Sequence, residues 1–366
     1  MVNPMTADMN GFTAYCLFVA EMNGAKGMTP QELEVFGRNC YINQVTPHHL
    51  HEKMWCERIY EECDVFFNVP ADPVARYLAI DLGMHKLDHE WSVPIELDCK
   101  ASMLQYIGAL LGDDRLLSMT AAKHDGVSVL PDPWTVEGTT SREVVKVPYT
   151  RRLYGSVKGM KESLDSKKVR YTADDLIALE AELQHGAFGV ANDLKDFIIN
   201  NCQPQENMTV TIGDEVFDIT CNHYKNVGER MQTYELYNSS TDTYETIQHM
   251  KTVKQANLVS FRRYFMTLLI HNLDSQVANY VTEQVMNKYG WCLDIHDAWI
   301  VSPQAALDVR QWYAEKLQWV YDNRKDILIN YFRSIGITAK AKTEWDKLMD
   351  KVVPVTDFTA SGWALK

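Results

Sequence analysis

From Trp291 to Val301, apolar and β-prone residues flank a polar pair, His296-Asp297, a pattern that predicts two short strands turning over at the pair. Asp297 then sits at a hairpin tip, poorly placed to join a core but well placed to hold a divalent cation against a phosphate. Taken alone, the pattern reads first as a solvated hairpin. A second stretch answers it: Val93 to Leu97 is apolar enough for a buried strand entered through Pro94, and it delivers Asp98 at its end. A helix over about Lys100 to Leu111, stopped by Gly112, follows and returns Gln105 toward the face of Asp98. Asp98 also fits an ordinary helix cap.

Between Thr139 and Gly155, the residues Arg142, Lys146, Thr150 and Tyr154 recur at four-residue steps. On a helix this spacing makes one slowly drifting stripe, two cations and a phenol along one wall. Pro148 interrupts it, so the spacing predicts a helix proper that starts near Pro148. The cations continue through Arg151, Arg152, Lys158, Lys161, Lys167, Lys168 and Arg170, which suits either a solvated basic face or a phosphate-bearing ligand.

The other periodicities are mostly helical. Thr29-Pro30-Gln31-Glu32 is a capping box with proline in the first turn. Helices are expected over about 47–65, 74–84, 173–200, 253–288 and 304–334, and a β-hairpin over 208–221 around Gly213-Asp214. In the last helix Trp312, Tyr313, Leu317, Trp319, Val320 and Tyr321 read as core. His271 and Asp274 share a face at i, i+3, which alone describes a surface pair. The groups His48-His49-His51 and His85 with His89 lack a carboxylate or Cys to complete a metal set and read as ordinary surface histidines.

Composition narrows the choices. A chain of 366 residues with 46% hydrophobic content can bury a large core as one large or two to three ordinary domains. A net charge of −13 argues against coating nucleic acid by bulk attraction, so any such contact needs a local patch or a partner. The eight cysteines are scattered, without a Cys-x-x-Cys pair, and predict reduced thiols and no zinc. No apolar run is long enough to cross a bilayer, and no Lys or Arg precedes Lys26, so neither a membrane partner nor an export signal is expected and a cytoplasmic location is.

In order along the chain, these residues resemble the motifs of the single-subunit RNA polymerases of phages and mitochondria. The first motif of that family, an Asp followed seven positions on by Gln, is matched by Asp98, Ser102 and Gln105. The second, Arg, Lys, usually Met, then Tyr-Gly at four-residue steps, is matched by Arg142, Lys146, Thr150, Tyr154 and Gly155. A His-x-x-Asp element resembles His271 to Asp274, and the third motif, His-Asp-Ser, reads His296-Asp297-Ala298 here. The four lie between residues 93 and 301.

The resemblance implies an α+β fold: a polymerase palm, an antiparallel sheet with helices, made by residues 1–112 and 271–366, and a mainly helical fingers insertion over 113–270. It implies a DNA-directed RNA polymerase, a nucleotidyltransferase in which Asp98 and Asp297 hold two Mg²⁺ ions roughly 4 Å apart. Arg142 and Lys146 would bind the triphosphate, Lys146 also protonating the leaving group; Tyr154 with His271 would sense the ribose 2′-hydroxyl, and His296 would lie near the primer end. DNA template, nascent RNA and rNTPs are the implied partners.

Departures from the family matter as well. Only 97 residues precede Asp98, where the family has hundreds that form a promoter-reading domain and thumb, and no Asp-x-x-Gly-Arg segment is visible. A second polypeptide is therefore expected to supply the missing parts, as in the split, two-chain RNA polymerases of certain podophages, whose larger catalytic subunit this chain resembles. A recruiter that binds single-stranded DNA and a single-stranded or pre-melted template fit the same picture. Met103, Pro148 and Thr150 depart from the family pattern and bear on sugar selection. A family A type DNA polymerase, or a nucleic-acid-binding subunit without catalysis, are the alternatives.

Overall fold

The structure, a computed structural model, describes residues 11–40 and 95–365 apart from Val157 and His296. The helices expected over 47–65 and 74–84, the histidines at 48, 49, 51, 85 and 89, and His296 lie outside the described residues. The fold is α+β, with all strand pairing antiparallel.

A three-stranded sheet of order β1-β7-β6 organises the site. It comprises β1 (Ile95–Asp98), β6 (Leu293–Ile295) and β7 (Ala298–Val301). Its hairpin pairs Ile295 with Ala298, so the chain reverses between them, as the pattern predicts. Ile95, Leu97, Trp299 and Val301 are buried on it, while β6 is an exposed edge. Against the sheet pack the helices Gly11–Met22 and Tyr264–Tyr289, and the helix Ser102–Leu111 packs with Tyr264–Tyr289 and Ala306–Asp322. Gly112, at φ 68°, ends the Ser102–Leu111 helix in the left-handed conformation that glycine adopts without penalty. Tyr106, Phe188, Leu269 and Trp299 share one buried cluster, so early, middle and late parts of the chain meet in a common core.

The helix Arg142–Leu153 runs straight through Pro148 rather than starting there. Pro148 cannot donate to the Val144 carbonyl, a loss of up to about 3 kcal/mol in a helix interior. Packing holds the turns on either side of it: Val144, Val145, Tyr149 and Leu153 are buried, Tyr149 stacks on Phe188 with ring centroids 4.2 Å apart, and its hydroxyl donates to Leu179 O at 2.6 Å. Ser141 caps the helix start, its Oγ accepting from Val144 N. At the other end Gly155 N donates to Arg152 O and Ser156 N to Arg151 O, a Schellman closure that needs Gly155 at φ 79°.

Residues 113–270 are not mainly helical throughout. Besides the helices Ala173–His185 and Ala187–Asn201, which break at Gly186, they carry two hairpins. The first, β2 (Asn207–Ile212) with β3 (Glu215–Thr220), turns at Gly213-Asp214 as expected. The second, β4 (Tyr224–Asn238) with β5 (Thr243–Ala256), is a long exposed ribbon. Val253 to Ala256 therefore belong to a strand, and the helix expected from Val253 begins at Tyr264. The 304–334 segment divides at Asn323 into Ala306–Asp322 and Arg324–Ser334, with Tyr313, Leu317 and Val320 fully buried as core.

The last residues run back along the start of the site. Val355 N donates to Gly112 O, Ser361 N to Ala122 O and Lys100 N to Ala364 O, and Cys99 bridges to Leu365. The six cysteines among the described residues are unbridged thiols, and no helix among those residues is long and apolar enough to cross a membrane.

Candidate active site

Strand register, not side-chain chemistry, brings the two acids together. β1 pairs with β7 so that Asp98 stands opposite Ala298, and Cys99 N extends the ladder by donating to Asp297 O at 3.2 Å. Asp98 ends β1 and Asp297 lies in the turn just before β7, and both line a cleft of about 530 Å³. Asp98 does not cap the following helix: the cap position is Ala101, at φ 60° and ψ 64°, without a side-chain cap bond. A non-glycine residue in that left-handed conformation carries about 1–2 kcal/mol of strain, and here it turns the chain sharply between Asp98 and Ser102.

The wall facing the acids is the stripe expected from the sequence. Arg142, Lys146, Thr150 and Tyr154 all line the cleft, because the buried face of their helix points the opposite way. Ser102 and Met103 complete this side. Two segments that the motifs did not single out also line the cleft. One is the Glu21–Met28 turn, with Lys26 between Gly24 and Gly27; the other is the arm from Leu130 to Trp134. Leu130 N donates to Met28 O at 3.0 Å and so ties the two together. Their only sequence signals are closely spaced glycines and a proline-bracketed Asp132, both ordinary loop features.

Arg142 is engaged within the cleft, its Nε 3.4 Å from Asp132 Oδ2 and its Nη1 3.7 Å from Glu143 Oε1. Tyr154 sits just past the helix end with its ring 5.5 Å from that of His271, so the second motif and the His-x-x-Asp element meet in space. Partial desolvation, together with the negative charge of Asp274 and Asp297, pushes the Tyr154 hydroxyl up to about 12, which keeps it a neutral donor at physiological pH. Asp274 accepts from Tyr106 Oη at 3.0 Å. Burial, reinforced by Asp274, pushes the Tyr106 phenol well up, and burial with the charges of Asp297, Asp274 and Asp98 does the same to the Cys99 thiol. Cys99 is therefore a protonated, inert neighbour of the acids.

Gln105 does not face the cleft. It is fully buried, donating through Nε2 to Lys100 O at 3.1 Å and Ala364 O at 3.0 Å, and its Oε1 accepts from Tyr313 Oη. It clamps the turn after Asp98 to the C-terminal segment. The same segment is held by Arg310, which donates from Nη1 to Leu365 O at 2.9 Å and lies over the Trp363 ring.

No group of three or more His, Cys, Asp or Glu side chains that could hold a metal occurs among the described residues. A pair of carboxylates is nevertheless the ordinary protein share of a Mg²⁺ site that substrate phosphates complete. Cations lining the same cleft suit a polyanion. Compared with protein-family models and with curated proteins, the chain matches none.

Proposed function

We propose that this cleft carries out template-directed ribonucleotidyl transfer, as the catalytic chain of a DNA-dependent RNA polymerase. The observation that carries the reading is the convergence of Asp98 and Asp297, far apart in sequence, beside Arg142, Lys146 and Tyr154. In this reading the β1-β7-β6 sheet with its helices is a palm, and residues 113–270, with the long ribbon, are a fingers unit.

Two Mg²⁺ ions held by Asp98 and Asp297 would activate the RNA 3′-hydroxyl and stabilise the leaving pyrophosphate. Phosphoryl transfer asks otherwise for positioning and charge neutralisation. Arg142 and Lys146 bind the triphosphate from the facing wall, and Lys146 is placed to give a proton to the leaving group. Tyr154, a neutral phenol beside His271, offers a hydrogen bond to the sugar and so selects ribose. By the resemblance, His296, next to Asp297 in sequence, would lie near the primer end. DNA template, nascent RNA and rNTPs are the ligands, and a second polypeptide completes the enzyme.

Primer extension with rNTPs or dNTPs, with and without candidate partner chains, tests this. The expected result is rNTP incorporation that Asp98→Asn or Asp297→Asn lowers by about three orders of magnitude. Incorporation by Asp297→Asn at the parent rate overturns the reading, and a clear preference for dNTPs replaces it with a DNA polymerase.

A further inference from the structure

Asp132, like Glu21, is an acid of the cleft that no motif accounts for, and three features fix it in place. Pro131 and Pro133 bracket it; Pro133 restricts the residue before it to extended backbone. Its Oδ1 accepts from Trp134 N at 3.1 Å, which locks the carboxyl plane, and Oδ2 is thereby directed to Arg142 Nε. Trp134 in turn is buried and stacks on Phe188, the same ring that anchors Tyr149 of the Arg142–Leu153 helix. The arm and the helix thus share one aromatic anchor, and the Asp132–Arg142 contact spans two elements that cannot slide independently.

Arginine presents five N–H donors in a planar fork, and a free side chain loses about 2 kcal/mol of rotamer entropy when it is fixed. A carboxylate beside Nε removes that freedom in advance, and Nη1, 3.7 Å from Glu143 Oε1, is too far from that acid to be hydrogen-bonded to it. We propose that Asp132 is a positioning residue that holds the Arg142 guanidinium in the orientation that receives the triphosphate. This rests on the proposed function for the identity of the nucleotide, but the anion-binding geometry is testable without catalysis.

The experiment is a double-mutant cycle read by calorimetric binding of inorganic tripolyphosphate with Mg²⁺ to the full chain, with rNTP extension kinetics beside it. Asp132→Asn is expected to weaken binding roughly tenfold in the Arg142 background and to have no effect in the Arg142→Ala background. Asp132→Glu is expected to restore most of the affinity, and in extension the loss falls on KM with kcat little changed. Tighter binding by Asp132→Asn shows that the acid competes with phosphate and overturns the proposal. So does an equal loss in both backgrounds, which marks a merely structural role. A parent chain that binds tripolyphosphate but extends no primer even with its partner polypeptide present refutes polymerase activity, while the cycle still decides the role of Asp132.

Discussion

Replacing Gln105 with Met isolates the clamp beneath Asp98, because the two side chains have similar length and the exchange leaves little cavity. Three hydrogen bonds disappear: Nε2 to Lys100 O and to Ala364 O, and Tyr313 Oη to Oε1. Ala364 O keeps its bond from Lys100 N, so it is not stranded. Lys100 O and the fully buried Tyr313 each lose one partner. At about 1 kcal/mol for a net bond and up to about 3 for a stranded buried group, the expected loss is about 2–4 kcal/mol. Hydrogen exchange across residues 95–104 and 358–365 reads it locally, since the Lys100 amide is protected only while the C-terminal segment stays docked. An acceleration of roughly 30- to 1,000-fold is expected there. Primer extension should fall in parallel, because the turn that presents Asp98 loses its backing. Exchange within a few-fold of the parent would refute the idea that Gln105 joins these segments.

Further outcomes follow from neighbouring features. Gly155→Ala puts a Cβ 3.2 Å from Arg263 O and 3.3 Å from Arg263 Cβ, at a backbone φ of 79°. A loss of about 1–2 kcal/mol in thermal or denaturant unfolding is expected, with weaker discrimination between rNTP and dNTP as Tyr154 shifts. His124 has a buried side chain whose Nδ1 accepts from Gly126 N, and burial, with Lys100 adding to it, holds the imidazole below its ordinary value against the opposing charge of Asp125. The unfolded chain then binds the proton first, so stability is full above about pH 6.5 and falls as pH drops toward the lower folded value. Denaturant midpoints measured between pH 7.5 and 5 should show that decline, and His124→Gln should remove this part of it.

The site was more legible than the segments around it, for physical reasons. The Leu293–Val301 hairpin and the strand ending in Asp98 each have buried residues around an acid, and Gly112 and the Thr29–Glu32 capping box punctuate their helices as expected; Glu32 N donates to Thr29 Oγ1 at 3.2 Å. The stripe from Arg142 to Tyr154 was readable as spacing. Its continuity through Pro148 was not, since that depends on Tyr149 and Leu153 packing against distant residues. The Tyr224–Ala256 ribbon escaped notice because alternation marks a strand only when one face is buried, and here Tyr234, Tyr237, Tyr244 and Met250 are all exposed. Gln105 was misplaced because its partners, Ala364 and Tyr313, lie more than two hundred residues away in the chain. Asp132 had no periodic or motif context at all.

The seam between β1 and β7 separates two kinds of freedom. What fixes the spacing of Asp98 and Asp297 is a handful of main-chain bonds that do not depend on the identity of the residues making them. Lengthening, shortening or exchanging the Tyr224–Ala256 ribbon leaves the β1–β7 pairing alone, whereas a single residue inserted within β1 or β7 shifts the register that sets that spacing. Variation in this molecule is therefore cheap where the chain is long and exposed, and forbidden over a few positions at the seam.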